Sequence, residues 1–94
     1  MYCLHTLAGV DLSVAFGRNV ARCRKRAGLS QGELGARASL HPTAIGLIER
    51  GERTARIDTL VKIAGALEVP PGDLFEGLGW KPGTRTSGEF YVEP

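Results

Sequence analysis

Two short helical segments joined by a tight turn constrain the fold of this chain more than any other feature of its sequence. In "LSQGEL", Ser30 and Glu33 form an S-x-x-E capping box, which starts a helix by satisfying two backbone amides that lack helical partners. Pro42 suits the first position of a second helix, because its fixed φ is helical and its missing N–H has no partner to lose. Gly51 is a typical residue to follow a helix end. The sequence therefore predicts two helices in succession, the second over residues 42–50.

The flanking segments predict further helices and hence an all-α fold. Over residues 13–27, Phe16, Val20 and Cys23 recur at steps of four and three, which places them on one face of a helix. Beyond the second short helix, apolar residues at helical spacing predict a fourth helix whose buried stripe is Ile57, Leu60, Ile63, Ala64 and Leu67.

The last quarter of the chain has a different character. "VPPGDLF" predicts a break and then a short fifth helix over residues 71–77, with Leu74 and Phe75 packed on the core. Gly and Pro are then frequent and helical periodicity is lost, so the remainder is predicted to be an irregular tail in which "EFYV" is the one candidate β-strand. A chain of 94 residues buries a single small core. We therefore expect an N-terminal extension over residues 1–12, a single domain over residues 13–77 and a C-terminal tail over residues 78–94.

Positive charge is concentrated in the first two-thirds of the chain. Residues 1–67 hold ten Lys and Arg against five Asp and Glu, whereas residues 68–94 hold two against five. Five of the basic residues fall within "RNVARCRKR", residues 18–26, and no acidic residue lies among them. Such a cluster suits a polyanion such as nucleic acid and equally suits a solvated helix face, so charge alone leaves both interpretations open.

Several classes of protein and site are not indicated. Cys3 and Cys23 are too few for a disulfide framework and, even with His5 and His41, lack the spacing of a zinc site, so we expect no metal and no cofactor. Because no nucleophile–base set, phosphate loop or carboxylate pair stands out, an enzyme is not expected. No window approaches the roughly 18 apolar residues of a membrane span, and no basic leader is present, so a soluble cytoplasmic protein is expected.

Three motifs identify the family that this sequence resembles. "LSQ-x-EL", "I-x-x-IERG" and "DTL-x-KIA-x-AL-x-V" follow one another across residues 29–75, and this stretch resembles the Cro/phage-repressor, or XRE-like, helix-turn-helix regulators. Around "LH-x-T-x-I" the chain is similar to restriction–modification controller proteins. The resemblance implies a five-helix, lambda-repressor-like fold. It also implies a transcriptional regulator that binds double-stranded DNA, with the recognition helix at about residues 42–50 in the major groove.

The resemblance further implies which side chains meet DNA. On the outward face of the recognition helix, base contacts are expected from Pro42, Thr43, Gly46 and Leu47. The expected base-contacting positions lack the Arg or Gln that makes bidentate contacts, so we expect recognition through close fit, thymine methyl groups and DNA shape. Nearby Arg50 and Arg53 are the residues that could supply what these positions lack. Phosphate contacts are expected first from Gln31, whose family equivalent touches the DNA backbone, and then from Arg18, Arg22, Arg50, Arg53 and Arg56.

Other residues are implied to be structural. In the family, an Arg at the position of Arg24 pairs with the Glu at the position of Glu49, so this pair is expected to hold the recognition helix at its angle. Gly35 would let the recognition helix approach the helix before it. Ser39 stands where the family often has Gly, which predicts a slightly different turn.

The expected partners are DNA and a second copy of the chain. One recognition helix reads only a few base pairs, so regulators of this family usually bind as two-fold pairs on half-sites about 34 Å apart. The tail region offers apolar area either for that homodimer or for closing the monomer's core, through Leu74, Phe75, Leu78 and Trp80. A function of a different class also stays open: a protein-interaction module such as an antitoxin, with weak or secondary DNA binding and an acidic, aromatic tail that folds onto a protein partner.

Overall fold

The computed structural model describes residues 7–8, 11–85 and 87–93. Its helices are α1 (Leu12–Arg26), α2 (Gln31–Ala38), α3 (Pro42–Glu49), α4 (Ile57–Leu67) and a 3₁₀ helix (Pro71–Phe75). Its strands are β1 (Leu7–Ala8), β2 (Leu78–Pro82) and β3 (Gly88–Val92). The four α-helices lie where the sequence predicts them, and the ends of α1 and α3 fall within one residue of the predicted bounds, because their start and stop signals are local.

Side-chain caps explain where the first three helices begin. Asp11 Oδ1 accepts a hydrogen bond from the Ser13 amide at 2.9 Å and so caps α1. The Ser30 capping box is complete, since its hydroxyl accepts from the Glu33 amide and its own amide donates to Glu33 Oε1. At α3, the Thr43 amide donates to the side chain of His41, and Pro follows that cap at the first helical position. Each cap satisfies amides that a helix start leaves without partners.

The core lies between the four α-helices and the 3₁₀ helix. The largest fully buried side chains among the described residues are Val20, Leu34, Ile45, Ile48, Ile63 and Leu74. One residue of the predicted α4 stripe does not belong to it, because Ile57 is 83% exposed. Ile57 is the first residue of α4, and helical side chains tilt toward the N-terminus, so this one points past the end of the packed helices.

The prediction of a fifth α-helix was wrong. Residues Pro71–Phe75 form a 3₁₀ helix, in which the Asp73 amide donates to the Pro70 carbonyl three residues back. The segment is too short to stabilise an α-helix, it contains Gly72, and no side chain caps its start. At Glu76 the backbone has already left the helical conformation, with φ of −53° and ψ of 127°, and β2 begins at Leu78.

The prediction of an irregular tail with a single strand was also wrong. Strands β2 and β3 pair as an antiparallel hairpin, with Trp80 opposite Phe90, and β1 pairs with the other side of β3, which gives the sheet order β1-β3-β2. The rings of Trp80 and Phe90 meet edge to face with centroids 4.9 Å apart. The candidate strand "EFYV" is confirmed as part of β3, whereas β1 and β2 were not predicted, because their pairs are non-local and their segments are short.

A buried amide fastens this sheet to the helical domain. Asn19 of α1 is 5% exposed, and its Nδ2 donates to the carbonyls of Leu74 and Glu76, each at 3.0 Å. Its Oδ1 accepts from Arg22, which also pairs with the carboxylate of Glu76 at 3.2 Å. The junction between the 3₁₀ helix and β2 is therefore held by α1, and every polar atom of Asn19 has a partner.

In the described part of the chain, no helix has both the length and the apolar character needed to cross a membrane.

Candidate nucleic-acid interface

Helices α2 and α3 form a helix-turn-helix whose turn packs closely on α2 at Gly35. Ser39 adopts a left-handed conformation with φ of 56°, so the turn keeps the backbone shape that Gly would adopt there, contrary to the expectation of an altered turn. The Leu40 amide donates to the Gly35 carbonyl at 2.8 Å. A Cβ at Gly35 would lie 2.7 Å from the Leu40 carbonyl oxygen. The absence of a side chain at Gly35 is thus what lets the entry to α3 pass over α2.

A second glycine lets α3 approach α1. Gly17 is buried, and a Cβ there would lie 2.1 Å from the Ile48 carbonyl oxygen and 2.7 Å from that of Glu49. Sequence analysis missed this residue because a lone Gly inside a helical pattern signals a close contact without naming the partner. The last turn of α3 therefore rests directly on the backbone of α1.

An ion pair joins the same two helices. Arg24 Nε donates to Glu49 Oε2 at 2.6 Å and Nη2 donates to Oε1 at 3.0 Å, with side chains only 12% and 6% exposed. Arg24 Nη1 also donates to the Leu29 carbonyl at the entry to α2. The hydrogen bond to Glu49 raises the pKa of Arg24 above its ordinary value, and burial opposes that effect. The structure thus brings the predicted pair together between α1 and α3.

Gln31 extends this pair to the start of α2. Its Nε2 donates to Glu49 Oε1 at 3.0 Å, so one carboxylate receives hydrogen bonds from α1 and from α2. Gln31 is half-buried at the first position of α2, where the free amides of a helix start lie. The side chain expected to touch phosphate is therefore already oriented before any ligand binds.

The outward face of α3 differs from one residue to the next. Pro42 and Thr43 are exposed, and Leu47 is half-buried. Gly46 is buried although it lies on this face, because side chains from elsewhere cover it: a Cβ there would lie 3.1 Å from Arg50 Nη1 and 3.5 Å from Gln31 Oε1. The opposite face carries Ile45 and Ile48 into the core.

The five arginines named as candidates for phosphate contact do not share one surface. Arg18 and Arg53 are exposed, Arg50 pairs with Glu52, and Arg56 is 85% exposed with its Nε 3.5 Å from Asp58. Arg22 is different, because it is held at the sheet by Asn19 and Glu76. It lies five residues from Gly17, about 140° around α1, and so faces away from α3.

The four residues predicted for a dimer surface do not lie on one surface. Leu74 is fully buried and Leu78 packs against the core, so both close the monomer, whereas Phe75 and Trp80 are 42% and 52% exposed. Phe75 borders a groove between α1 and α4 whose lining is mostly apolar: Leu12, Phe16, Ala55, Ile57 and Leu60. Val61 is also 54% exposed. We call Ile57, Val61 and Phe75 the α4 patch.

Among the residues that the structure describes, no three His, Cys, Asp or Glu side chains are grouped so that they could hold a metal ion. Cys23 is buried in the core, and Cys3 and His5 lie outside the described residues.

Comparison with known proteins places this helical arrangement in a family. The sequence model for the helix-turn-helix family HTH_3 matches residues 20–74, from the middle of α1 to the 3₁₀ helix. The chain belongs to this helix-turn-helix family. The family resemblance predicted from the three sequence motifs is thereby confirmed.

Relatives of this helix-turn-helix chain include proteins named as controllers. It is 37% identical over 67 residues to control protein C.BamHI of Bacillus amyloliquefaciens. The aligned residues cover 70% of this chain and 83% of that protein. It is 35% identical over 72 residues to control protein C.SmaI of Serratia marcescens, and the aligned residues cover 77% of this chain and 86% of that protein. The crystal structure of the restriction-modification controller protein C.AhdI from Aeromonas hydrophila is similar with a TM-score of 0.66 and 35% identity, over 67% of this chain and 96% of that one.

Proposed function

We propose that this protein is a sequence-specific transcriptional regulator that binds double-stranded DNA as a dimer, with α3 in the major groove. Family membership and the similarity to proteins named as control or controller proteins support this proposal. Its main structural support is the anchoring of α3, whose inner face is buried in the core. Its last turn rests on Gly17 and carries Glu49, which binds both Arg24 and Gln31. A helix held at three points presents its outer face at a fixed angle, which base readout requires.

The exposed start of α3 supports contact with base edges. Thr43 can donate or accept a hydrogen bond and offers a methyl group, and Leu47 can contact thymine methyl groups. Pro42 contributes only close fit. Gly46 contributes clearance, since it carries no side chain of its own.

Phosphate contacts are proposed for the side chains that flank this face. Gln31 lies at the N-terminus of α2, where backbone amides also favour an anion. Arg18, Arg53 and Arg56 are exposed and add positive charge without fixed direction. Arg22 is not among them, because Asn19 and Glu76 engage its guanidinium on the side of α1 away from α3.

For the dimer we propose the α4 patch in place of the tail residues. Ile57 at 83% and Phe75 at 42% exposed line the groove between α1 and α4, and Val61 at 54% exposed follows Ile57 by one turn on the same side of α4. Apolar side chains grouped on one face mark interaction surfaces more often than scattered ones do. A second copy is the occupant that a two-fold symmetric operator would need.

An in vitro selection from random duplexes of about 30 base pairs tests the DNA-binding proposal. We expect a two-fold symmetric consensus with half-sites one helical turn apart, and an affinity that falls steeply with salt because phosphate contacts release counterions. Thr43→Ala and Leu47→Ala should each change the preferred base at a defined position. Salt-sensitive binding without any consensus would contradict sequence-specific regulation.

Sedimentation velocity tests the dimer. Val61→Glu should shift the protein toward monomer, because it puts a charge into the α4 patch at an exposed helical position where folding is not at risk. Trp80→Glu is the matched control, since Trp80 is about equally exposed but lies on β2. If Trp80→Glu dissociates the protein and Val61→Glu does not, the interface lies on the sheet instead.

The alternative of an interaction module relied in part on a flexible tail, which the described residues of that region do not form. Residues 78–82 and 88–92 are paired strands, and α1 fastens the start of the hairpin. The matched family residues end at residue 74, before β2 begins.

A further inference from the structure

The surface above Gly46 is filled by two polar side chains that do not begin there. Arg50 reaches it from the C-terminal end of α3, and Gln31 reaches it from the start of α2. Gly46 is buried beneath them in the middle of the outward face. The face that looks poor in readout groups from its own sequence therefore carries a guanidinium and an amide.

Helix geometry explains why Arg50 comes to this place. Arg50 lies four residues after Gly46, so the two positions stand one above the other on the same side of α3. Helical side chains lean toward the N-terminus, which directs Arg50 back over the preceding turn. Any side chain at position 46 would stand in its path, and a Cβ alone would come within 3.1 Å of Nη1.

The carboxylate of Glu52 engages the Nε of the same guanidinium. Arg50 Nε donates to Glu52 Oε2 at 2.5 Å, while Nη1 and Nη2 have no hydrogen-bond partner among the described residues. The side chain remains 59% exposed. Its two amino groups are thus available to a ligand, while Glu52 engages the Nε on the other side of the guanidinium.

We propose that Arg50 is a specificity-determining residue. Its guanidinium occupies the space that Gly46 leaves open, and its Nη1 and Nη2 read a guanine in the major groove. Guanine presents two acceptors, O6 and N7, that match the paired donors of a guanidinium. Gln31 bounds this space on the α2 side, where Glu49 holds its amide. Glu52 acts as a positioning residue. This inference rests on the proposed function and replaces the phosphate contact that the sequence suggested for Arg50.

The pairing with Glu52 favours base readout over a phosphate contact. A neighbouring carboxylate offsets the positive charge of Arg50 and so weakens its attraction to a polyanion. It also restricts the guanidinium plane, which matters for a bidentate contact with a base and little for attraction to phosphate. A purely electrostatic contact would not need the cleared position at Gly46.

Selection from random duplexes with wild type and Arg50→Lys tests the proposal. Lys keeps the charge and loses the paired donors, so Arg50→Lys should lose its preference for one G·C pair in each half-site. Binding to the wild-type consensus should fall by roughly tenfold to a hundredfold, while binding to random DNA and its salt dependence stay unchanged. Arg26→Lys is the matched control, since Arg26 is an exposed arginine outside the proposed contacts. Circular dichroism checks that each variant is folded.

The possible failures can be told apart. If Arg50→Lys selects the wild-type consensus with unchanged affinity, Arg50 does not read a base, although the regulator proposal stands. If wild type itself selects no consensus, both proposals are overturned. Glu52→Gln should weaken the preference at the same base pair while raising affinity for random DNA, and an altered preference at another base pair would overturn the positioning role.

Discussion

Replacing Gly17 with alanine tests how tightly α3 is seated on α1. The added Cβ would lie 2.1 Å from the Ile48 carbonyl oxygen, whereas ordinary contacts begin at 3.4 Å, so the two helices must separate by about 1.3 Å. The obstacle is helical backbone on both sides, which cannot rotate away as a flexible side chain would. The same displacement would stretch the Arg24–Glu49 hydrogen bonds, which join these helices at 2.6 and 3.0 Å.

The expected loss follows from these distances. Overpacking of this kind costs about 1 to 3 kcal/mol, and the backbone clash puts Gly17→Ala at the upper end. The higher helix propensity of alanine offsets up to about 1 kcal/mol of this destabilisation. We therefore expect the free energy of unfolding to fall by about 2 kcal/mol and the melting temperature by roughly 10 °C. Affinity for a selected DNA consensus should fall as well, because α3 changes its angle.

Thermal and urea unfolding followed by circular dichroism measure this loss. Gly65→Ala is the matched control, because Gly65 lies in α4 and a Cβ there meets no atom within 4 Å. It should raise stability by about 0.5 to 1 kcal/mol through helix propensity alone. If both variants were stabilised by the same amount, the close approach of α3 to α1 would not be a constraint, and the reasoning would be refuted.

Three further substitutions probe the caps, the turn and the buried pair. Glu49→Ala leaves Arg24 buried without its carboxylate and should lower the free energy of unfolding by about 3 kcal/mol in urea titrations; a loss below about 1 kcal/mol would contradict the burial argument. Hydrogen bonds from Ser30 lower the pKa of Glu33 below its ordinary value, so its capping contribution is present above about pH 4.3 and is lost as the pH falls through the folded pKa. Glu33→Gln should flatten that part of the stability–pH curve, and an unchanged curve would assign the acid dependence elsewhere. Ser39→Gly should raise the melting temperature, because it relieves a left-handed conformation worth about 1 kcal/mol, and a lower melting temperature would show that the serine side chain stabilises the turn.

The sequence by itself determined where the four α-helices lie along the chain and to which family the chain belongs. Ser30 with Glu33, Pro42 and Gly51 are signals read within one helical turn, so neighbours in sequence are sufficient to interpret them. The motifs that carry the family resemblance are likewise fixed spacings along the chain, and the family match confirms them.

Only the tertiary structure decided which partners meet across the chain. The role of Gly17 depends on carbonyl groups about 30 residues away, and Asn19 depends on carbonyls more than 50 residues away. The hairpin depends on strand pairing that no local period encodes, and the exposure of Ile57 depends on where the neighbouring helices stop. The side chains above Gly46 belong to the same class, because a glycine shows that space is left without showing which groups fill it. Contacts of this kind are set by packing in three dimensions, where distance along the sequence no longer limits which residues interact.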